Sequence, residues 1–304
     1  MARIARKVRA ALYIAQQHAT LPAAYDAAAR TGALVAFDAE DLLAEYSSEP
    51  VAIMRSIEQR YVPKCAFVST MSGAAASRLQ ETLNLPVAPL VLHNTPSLAE
   101  RRGIGPPLAT TPARRLQLYW FGQTIGPHSC AEQVLRAMSL MSRPAKLVLR
   151  GSPRVAYIAH LESLATRLGL TDHLDVHERA SPNDMVRLAA QHDVLLGTQP
   201  SLEPFHQMAI GNKVFTGLMA GLVVALTDTV AHRLLVREVA GASFLFANDD
   251  HRALANRLNE LDESRDKLMA MKTAAWRTAN ERFNWEKESE QLLSTVARLV
   301  GKAS

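Results

Sequence analysis

Cysteine is scarce in this chain of 304 residues: Cys65 and Cys130 are the only two, far apart and without CxxC spacing. That excludes a disulfide framework and a structural zinc site, and makes a reducing, cytoplasmic location the expectation. No apolar run approaches the length needed to span a bilayer. The opening Met1-Ala-Arg-Ile-Ala-Arg-Lys-Val-Arg is basic, but the apolar stretch after it is interrupted at Gln16, so it does not read as a signal peptide. Metal-ligand spacing is absent, as are internal repeats and low-complexity segments beyond a general richness in alanine. No Lys/Arg block with interleaved aromatics is present, so a nucleic-acid partner is not expected.

What is present is an ordinary globular composition, 48% apolar, long enough for two domains. The formal charge of +5 is modest and spread out, and fits anionic ligands or an acidic membrane face. Residues 1–12 read either as a basic amphipathic helix lying on the inner face of a membrane or as a solvated helix leading into the first strand.

The stretch from Ser201 to Asp228 organises the chain. Asp193 to Gly197 reads as a buried strand, a polar loop follows, and Val214, Phe215, Leu218 and Met219 form the apolar face of a short helix. Ala220-Gly221 stops that helix, and Leu222 to Leu226 reads as another buried strand. Strand, loop, helix and strand make a βαβ unit whose loop sits at the carboxyl end of a strand, where open α/β sheets bind ligands. Before it, strands are expected at 11–15, 33–37, 65–69, 87–92, 116–122, 146–150 and 174–177, alternating with helices. Ser72 is the expected cap of a helix over 73–83, and Ser181-Pro182 an expected helix start. Strand 243–246 and three helices close the chain.

Asn212-Lys213-Val-Phe followed by Met-Ala-Gly-Leu-Val-Val resembles the Asn-Lys-apolar-Phe … Ala-Gly segment of GT-B glycosyltransferases of the family 4 type. His18 at a strand end, Leu21-Pro22 after it, Asp38-Ala-Glu40-Asp41, and Leu92-His93-Asn94-Thr95-Pro96 resemble the later half of that family's amino-terminal domain. The resemblance implies an α/β fold of two Rossmann-like domains with parallel sheets. It implies boundaries at 1–98 (a partial, acceptor-side domain), 99–113 (a Pro/Gly/Thr-rich linker), 114–275 (the nucleotide-sugar domain) and 276–304 (helices crossing back). The family's first strands and Gly-rich first loop are then expected to be absent, about 75 residues on the usual size of such a domain.

The implied activity is transfer of a sugar from a nucleotide-sugar donor to a glycan, lipid or protein-glycan acceptor, with no metal and no cofactor beyond the donor as substrate. Donor contacts are expected from Gly122, Thr124, Arg150, Glu203, Asn212, Lys213, Val214 and Thr216. Gly122 to Gly126 is read as a βα turn whose amides face phosphate, or as a turn that simply needs glycine. Arg150 and Lys213 are read as phosphate cations or as solvated side chains. His18 or Asp41 is the candidate beside the reacting carbon, with helix capping and loop charge as the alternatives. Four positions depart from the family: Ser129-Cys130 replaces Arg-Gly, and Met208 and Thr216 stand where the Glu-x7-Glu pair is expected. His128 is weighed both as a partial substitute for the lost Arg and as a surface residue. Two rival readings are a nucleotide-sugar epimerase or hydrolase on the same fold, and a non-catalytic binding or scaffold protein.

Overall fold

The structure is a computed structural model that describes residues 2–5, 7–108, 111, 113–200 and 203–301. Met1 and Arg6 of the basic stretch, residues 109, 110 and 112 of the expected linker, and Ser201-Leu202 at the head of the polar loop lie outside the described residues. The chain divides into two compact units. The first comprises residues up to His93, 203–210 and those from Lys287 on; the second comprises 94–200 and 211–286.

In the first unit the elements follow as α1 (Ala2–Ala5), β1 (Leu12–Gln16), α2 (Leu21–Ala28), β2 (Leu34–Ala39), α3 (Val51–Tyr61), β3 (Val68–Thr70), α4 (Gly73–Leu83) and β4 (Leu90–Val91). The four strands are parallel and lie in sequence order. β2 is buried along most of its length, as an apolar strand with helices on both faces must be. Phe37, Leu21, Leu42 and Leu79 lie in the core. Ser72 caps α4 as expected, its hydroxyl accepting from the Ala75 amide at 3.0 Å, and Asn84 ends it in the left-handed conformation. The same hydroxyl donates to the carbonyl of Met208. β4 is shorter than the expected 87–92, because Pro86 and Pro89 have no amide to give to a ladder.

The second unit runs β5 (Gln117–Ile125), α5 (Ala131–Met138), β6 (Lys146–Pro153), α6 (Val155–Arg167), β7 (Leu174–His177), α7 (Met185–Ala189) and β8 (Val194–Gly197). After α8 (Pro204–Met208), which belongs to the first unit, it continues with α9 (Asn212–Met219), β9 (Val223–Thr227), α10 (Val230–Glu238), β10 (Ser243–Phe246), α11 (His251–Glu263) and α12 (Arg265–Glu281); α13 (Trp285–Val300) closes the chain. The six strands are all parallel in the order β10-β9-β8-β5-β6-β7. Numbered within the unit, that is the 3-2-1-4-5-6 order of a doubly wound dinucleotide-binding sheet, which reverses direction between β5 and β8. Gly221, at φ +71°, turns the chain from α9 into β9, and a Cβ there would lie 2.5 Å from the Pro107 ring.

Several local expectations change. The helix expected after the Gly122–Gly126 turn begins only at Ala131, because β5 runs on through Ile125. Ser181 lends no side-chain cap, and Pro182–Asp184 is a 3-10 turn ahead of α7. The polar loop contains α8, and α10, which the sequence reading did not anticipate, starts under a Thr229 cap that accepts from the His232 amide at 3.2 Å. The stretch read as linker opens with a 3-10 turn over Leu98–Arg101. There Arg101 is buried, stacked 3.5 Å over the Trp276 ring and bonded to the Met219 carbonyl at 2.8 Å.

At the amino-terminal edge of this sheet Asp193 is sealed from solvent. It accepts from Arg114 at 2.7 Å, Lys272 at 3.0 Å and the Gln117 amide at 3.0 Å. Lys272 also donates to the His192 carbonyl at 2.9 Å. Burial works to raise the Asp193 carboxyl; Lys272 and Arg114 overcome it and leave the group below the usual carboxylate range. A depressed carboxylate stabilises the fold above its unfolded pKa and loses that contribution as pH falls through its folded pKa. Replacing Asp193 by Ala leaves Lys272 buried without its carboxylate, and urea unfolding at pH 7 is expected to show a loss of about 3–5 kcal/mol. The Asp193→Asn variant is expected to lose much of its advantage at neutral pH while differing little from the parent under acid conditions.

Candidate functional site

At their carboxyl ends β5 and β6 continue side by side. Phe121 faces Arg150, and after a register shift Thr124 faces Ser152. The expected Gly122–Gly126 turn is therefore largely strand, and Thr124 is spent on the ladder. The shift leaves Gly122 and Gln123 as the irregular pair. A Cβ on Gly122 would lie 2.6 Å from the Trp120 ring, so this close approach needs glycine. The chain turns at Gly126, makes a 3-10 turn over Pro127–Ser129, and enters α5 through Cys130 at φ 54°, ψ 26°. A non-glycine residue held there costs about 1–3 kcal/mol, and such strain is concentrated at functional sites.

A cavity of about 870 Å³ opens at this end of the sheet. Trp120 forms part of its wall, with His128, Arg150, Arg179, Lys213 and Asn212 around it. Among the described residues that line it there is no Asp or Glu. Arg150 is aimed by a hydrogen bond from Nη1 to the Glu178 carbonyl at 2.9 Å. Asn212 and Lys213 are the first residues of α9, whose free amides and positive dipole end add to the field.

Lys213 stands 5.4 Å from the centre of the Trp120 ring. Burial pushes its ammonium down from 10.5 to about 8, with Cys130 acting weakly the other way. His128 is lowered by burial first and then by Lys213, with the Thr124 carbonyl opposing. Below α9, His232 is fully buried and its Nδ1 lies 2.8 Å from the Thr227 carbonyl, which assigns the proton to that nitrogen. Burial holds its pKa near 4, so it is neutral at pH 7. The thiol of Cys130 is raised, by burial above all, and accepts from Asn248 at 3.6 Å. The cations at this wall thus have no anionic side chain facing them across the cavity.

The structure brings Gly122, Arg150, Asn212 and Lys213 together and leaves the other expected donor contacts elsewhere. Thr124 does not line the cavity. Val214 is core, its methyl close against Gly197. Thr216 is buried, with its hydroxyl donated to the Asn212 carbonyl at 3.3 Å. The Glu203 carboxylate accepts from the Ser47 hydroxyl at 2.6 Å within the first unit, and Glu203 is not among the lining residues of the cavity. Trp120 and Arg179 were missed. The signal for Arg179 was its place just past the carboxyl end of β7, beside β6.

In the first unit His18 is not open to solvent at a loop. It is fully buried in a 3-10 turn, edge-on to Phe37, with Nε2 2.7 Å from Glu58 Oε1 of α3. Gln17 before it holds φ 67°, ψ 153°, a conformation that side chains rarely adopt. Asp41 is part buried. Burial and then Glu40 raise its carboxyl, against a hydrogen bond from the Gln17 side chain. Among the described residues no His, Cys, Asp and Glu group is arranged to hold a metal ion, and no helix is long and apolar enough to cross a membrane.

The fold is that of GT-B glycosyltransferases. Anabaena HepE, solved in complex with UDP, superposes with a TM-score of 0.77 at 18% identity over 98% of this chain and 80% of that one. Sucrose-phosphate synthase from Thermosynechococcus elongatus gives a TM-score of 0.76 at 14% identity, covering 97% and 74%. Residues 116–264, just under half of the chain, match the family described as "Glycosyl transferases group 1". Spore coat protein SA of Bacillus subtilis (strain 168) is 23% identical over 142 residues, 47% of this chain but only 36% of that protein.

Any anion held by Lys213 is bound in a pH-dependent way, with a definite sign. In the free protein it is charged below about pH 8 and loses its proton above it, and a bound phosphate raises that pKa again. Affinity for inorganic pyrophosphate, measured calorimetrically, is expected to fall by about tenfold from pH 7 to pH 9.5, and Lys213→Gln to flatten that fall. Without ligand the sign reverses. The folded state binds fewer protons than the unfolded one between 8 and 10.5, so stability rises with pH across that window.

Proposed function

We propose that the cavity of the second unit binds the diphosphate of a nucleotide-sugar donor, and that the chain transfers the sugar to a glycan, lipid or protein-glycan acceptor. The observation that carries this reading is a cavity at the carboxyl edge of a doubly wound sheet, lined by Arg150, Arg179, Lys213 and His128 and, among the described residues, by no carboxylate. In sugar transfer the leaving diphosphate gains charge as the glycosidic bond breaks, and fixed cations already desolvated there stabilise the transition state more than the ground state. The reaction as proposed uses these side chains and the α9 amino terminus, with no cofactor beyond the nucleotide-sugar itself and no metal. The group 1 family match and the UDP-bound HepE structure support the donor class.

For the group beside the reacting carbon we favour Asp41 over His18. Its burial and the neighbouring Glu40 raise its carboxyl toward the range of a working base, whereas His18 spends Nε2 on Glu58 inside the core. A non-catalytic nucleotide-binding protein is the second reading, favoured by Glu203 and Thr216 being committed to Ser47 and Asn212. Contact of the basic amino terminus with a membrane, at its cytoplasmic face, belongs to the same proposal. Ile4 and Val8 are exposed there beside Lys7 and Arg9.

Calorimetric titration with UDP, GDP and their sugar conjugates tests the donor reading. Saturable binding of one nucleotide is expected, weakened at least about tenfold by Arg150→Ala or Lys213→Ala, on the usual worth of a charge-assisted hydrogen bond. Sugar transfer abolished by Asp41→Asn with donor affinity intact identifies an enzyme. Tight binding with neither transfer nor donor hydrolysis identifies the binding protein, and absence of binding to folded protein removes both readings.

A further inference from the structure

Ribose presents two adjacent hydroxyl donors, and a carboxylate is the side chain that accepts from both at once. A site built around such an acceptor rejects a ligand lacking the hydroxyl by about 10⁴–10⁵, because its buried acceptor is then left unpaired. This cavity has no such group among its described lining residues. Of the carboxylates on neighbouring segments, Glu132 is held by Arg136 and His160, Asp184 by Arg187, Asp228 by Arg233 and Asp250 by the α11 amino terminus, while the exposed Glu178 next to Arg179 is not among the lining residues. Thr216 donates its hydroxyl inward. The side-chain oxygens that do line the cavity belong to Gln123 and Asn212, both exposed and already solvated, so a missing hydroxyl leaves nothing buried and unpaired. The charged groups, by contrast, are all cationic.

On the donor-site reading above, we infer that this cavity selects its ligand by the diphosphate and is indifferent to the ribose hydroxyls. It accepts 2′-deoxyribonucleoside diphosphates as well as ribonucleoside diphosphates, and the sugar donors open to it include those carried on deoxynucleotides. Selectivity among donors then falls to the base and the sugar.

Calorimetry on the full chain at pH 7 with UDP, dUDP and inorganic pyrophosphate tests this. The expected result is a ratio of dissociation constants for dUDP and UDP below about threefold, with pyrophosphate competing against both. Lys213→Gln is expected to weaken both nucleotides by the same factor, and Asn212→Ala to leave their ratio unchanged. Binding of UDP with dUDP weakened tenfold or more overturns the inference while leaving the donor site in place, as does Asn212→Ala weakening UDP alone. Failure of UDP, dUDP and pyrophosphate alike to bind folded protein overturns the inference together with the donor reading on which it rests.

Discussion

The second unit depends on a buried carboxylate. Asp193 sits at the start of β8 and binds the backbone amide of Gln117 at the start of β5, so one side chain fixes the two strands between which the sheet reverses direction. Arg114 and Lys272 neutralise it, and through Lys272 the long α12 is tied to the same point. A carboxylate this far from water is tolerated only when its charge is matched and its lone pairs are filled, which is the arrangement here. Register set at one edge of a parallel sheet is carried along every strand to the other, because the ladder repeats residue by residue.

At the opposite edge the electrostatics are reversed. The amino-terminal edge matches its charges; the cavity at the carboxyl edge gathers cations with no carboxylate among the described residues that line it. Desolvation of Lys213, with its pKa near 8, is the mark of an ammonium held against apolar surface with no ion partner strong enough to offset the burial. Gly122 against the Trp120 ring and the left-handed Cys130 show a backbone fitted tightly around this corner.

Much of this was legible in the sequence where a single physical rule decided the outcome. Strand 243–246 and helix α4 with its Ser72 cap follow from an apolar run and a hydroxyl before a helix, and both fall where expected; strand 174–177 does so as well, though none of its residues is buried. So does the Ala220-Gly221 stop, and Lys213 falls in the first turn of α9, whereas β6 runs on past Arg150 to Pro153. What failed turns on tertiary choices. Nothing local tells Gly122–Ile125 to continue as strand, since that follows from β6 extending beside it. His18 and Glu58 are separated by α2, β2 and much of α3, and only the fold makes them partners. Glu203 lay near the expected motif in sequence, yet its loop packs on Ser47. Trp120 fell inside the strand expected at 116–122 without a signal of its own, because its place in the cavity wall is a matter of which face it presents.

The central claim is that Lys213 and Arg150 hold the diphosphate of the donor, and a crystal structure with UDP tests it most directly. The account predicts phosphate oxygens within hydrogen-bonding distance of Lys213 Nζ and the Arg150 guanidinium, at the amino terminus of α9. Phosphates turned away from both side chains, or a nucleotide seated elsewhere on the second unit, would contradict it.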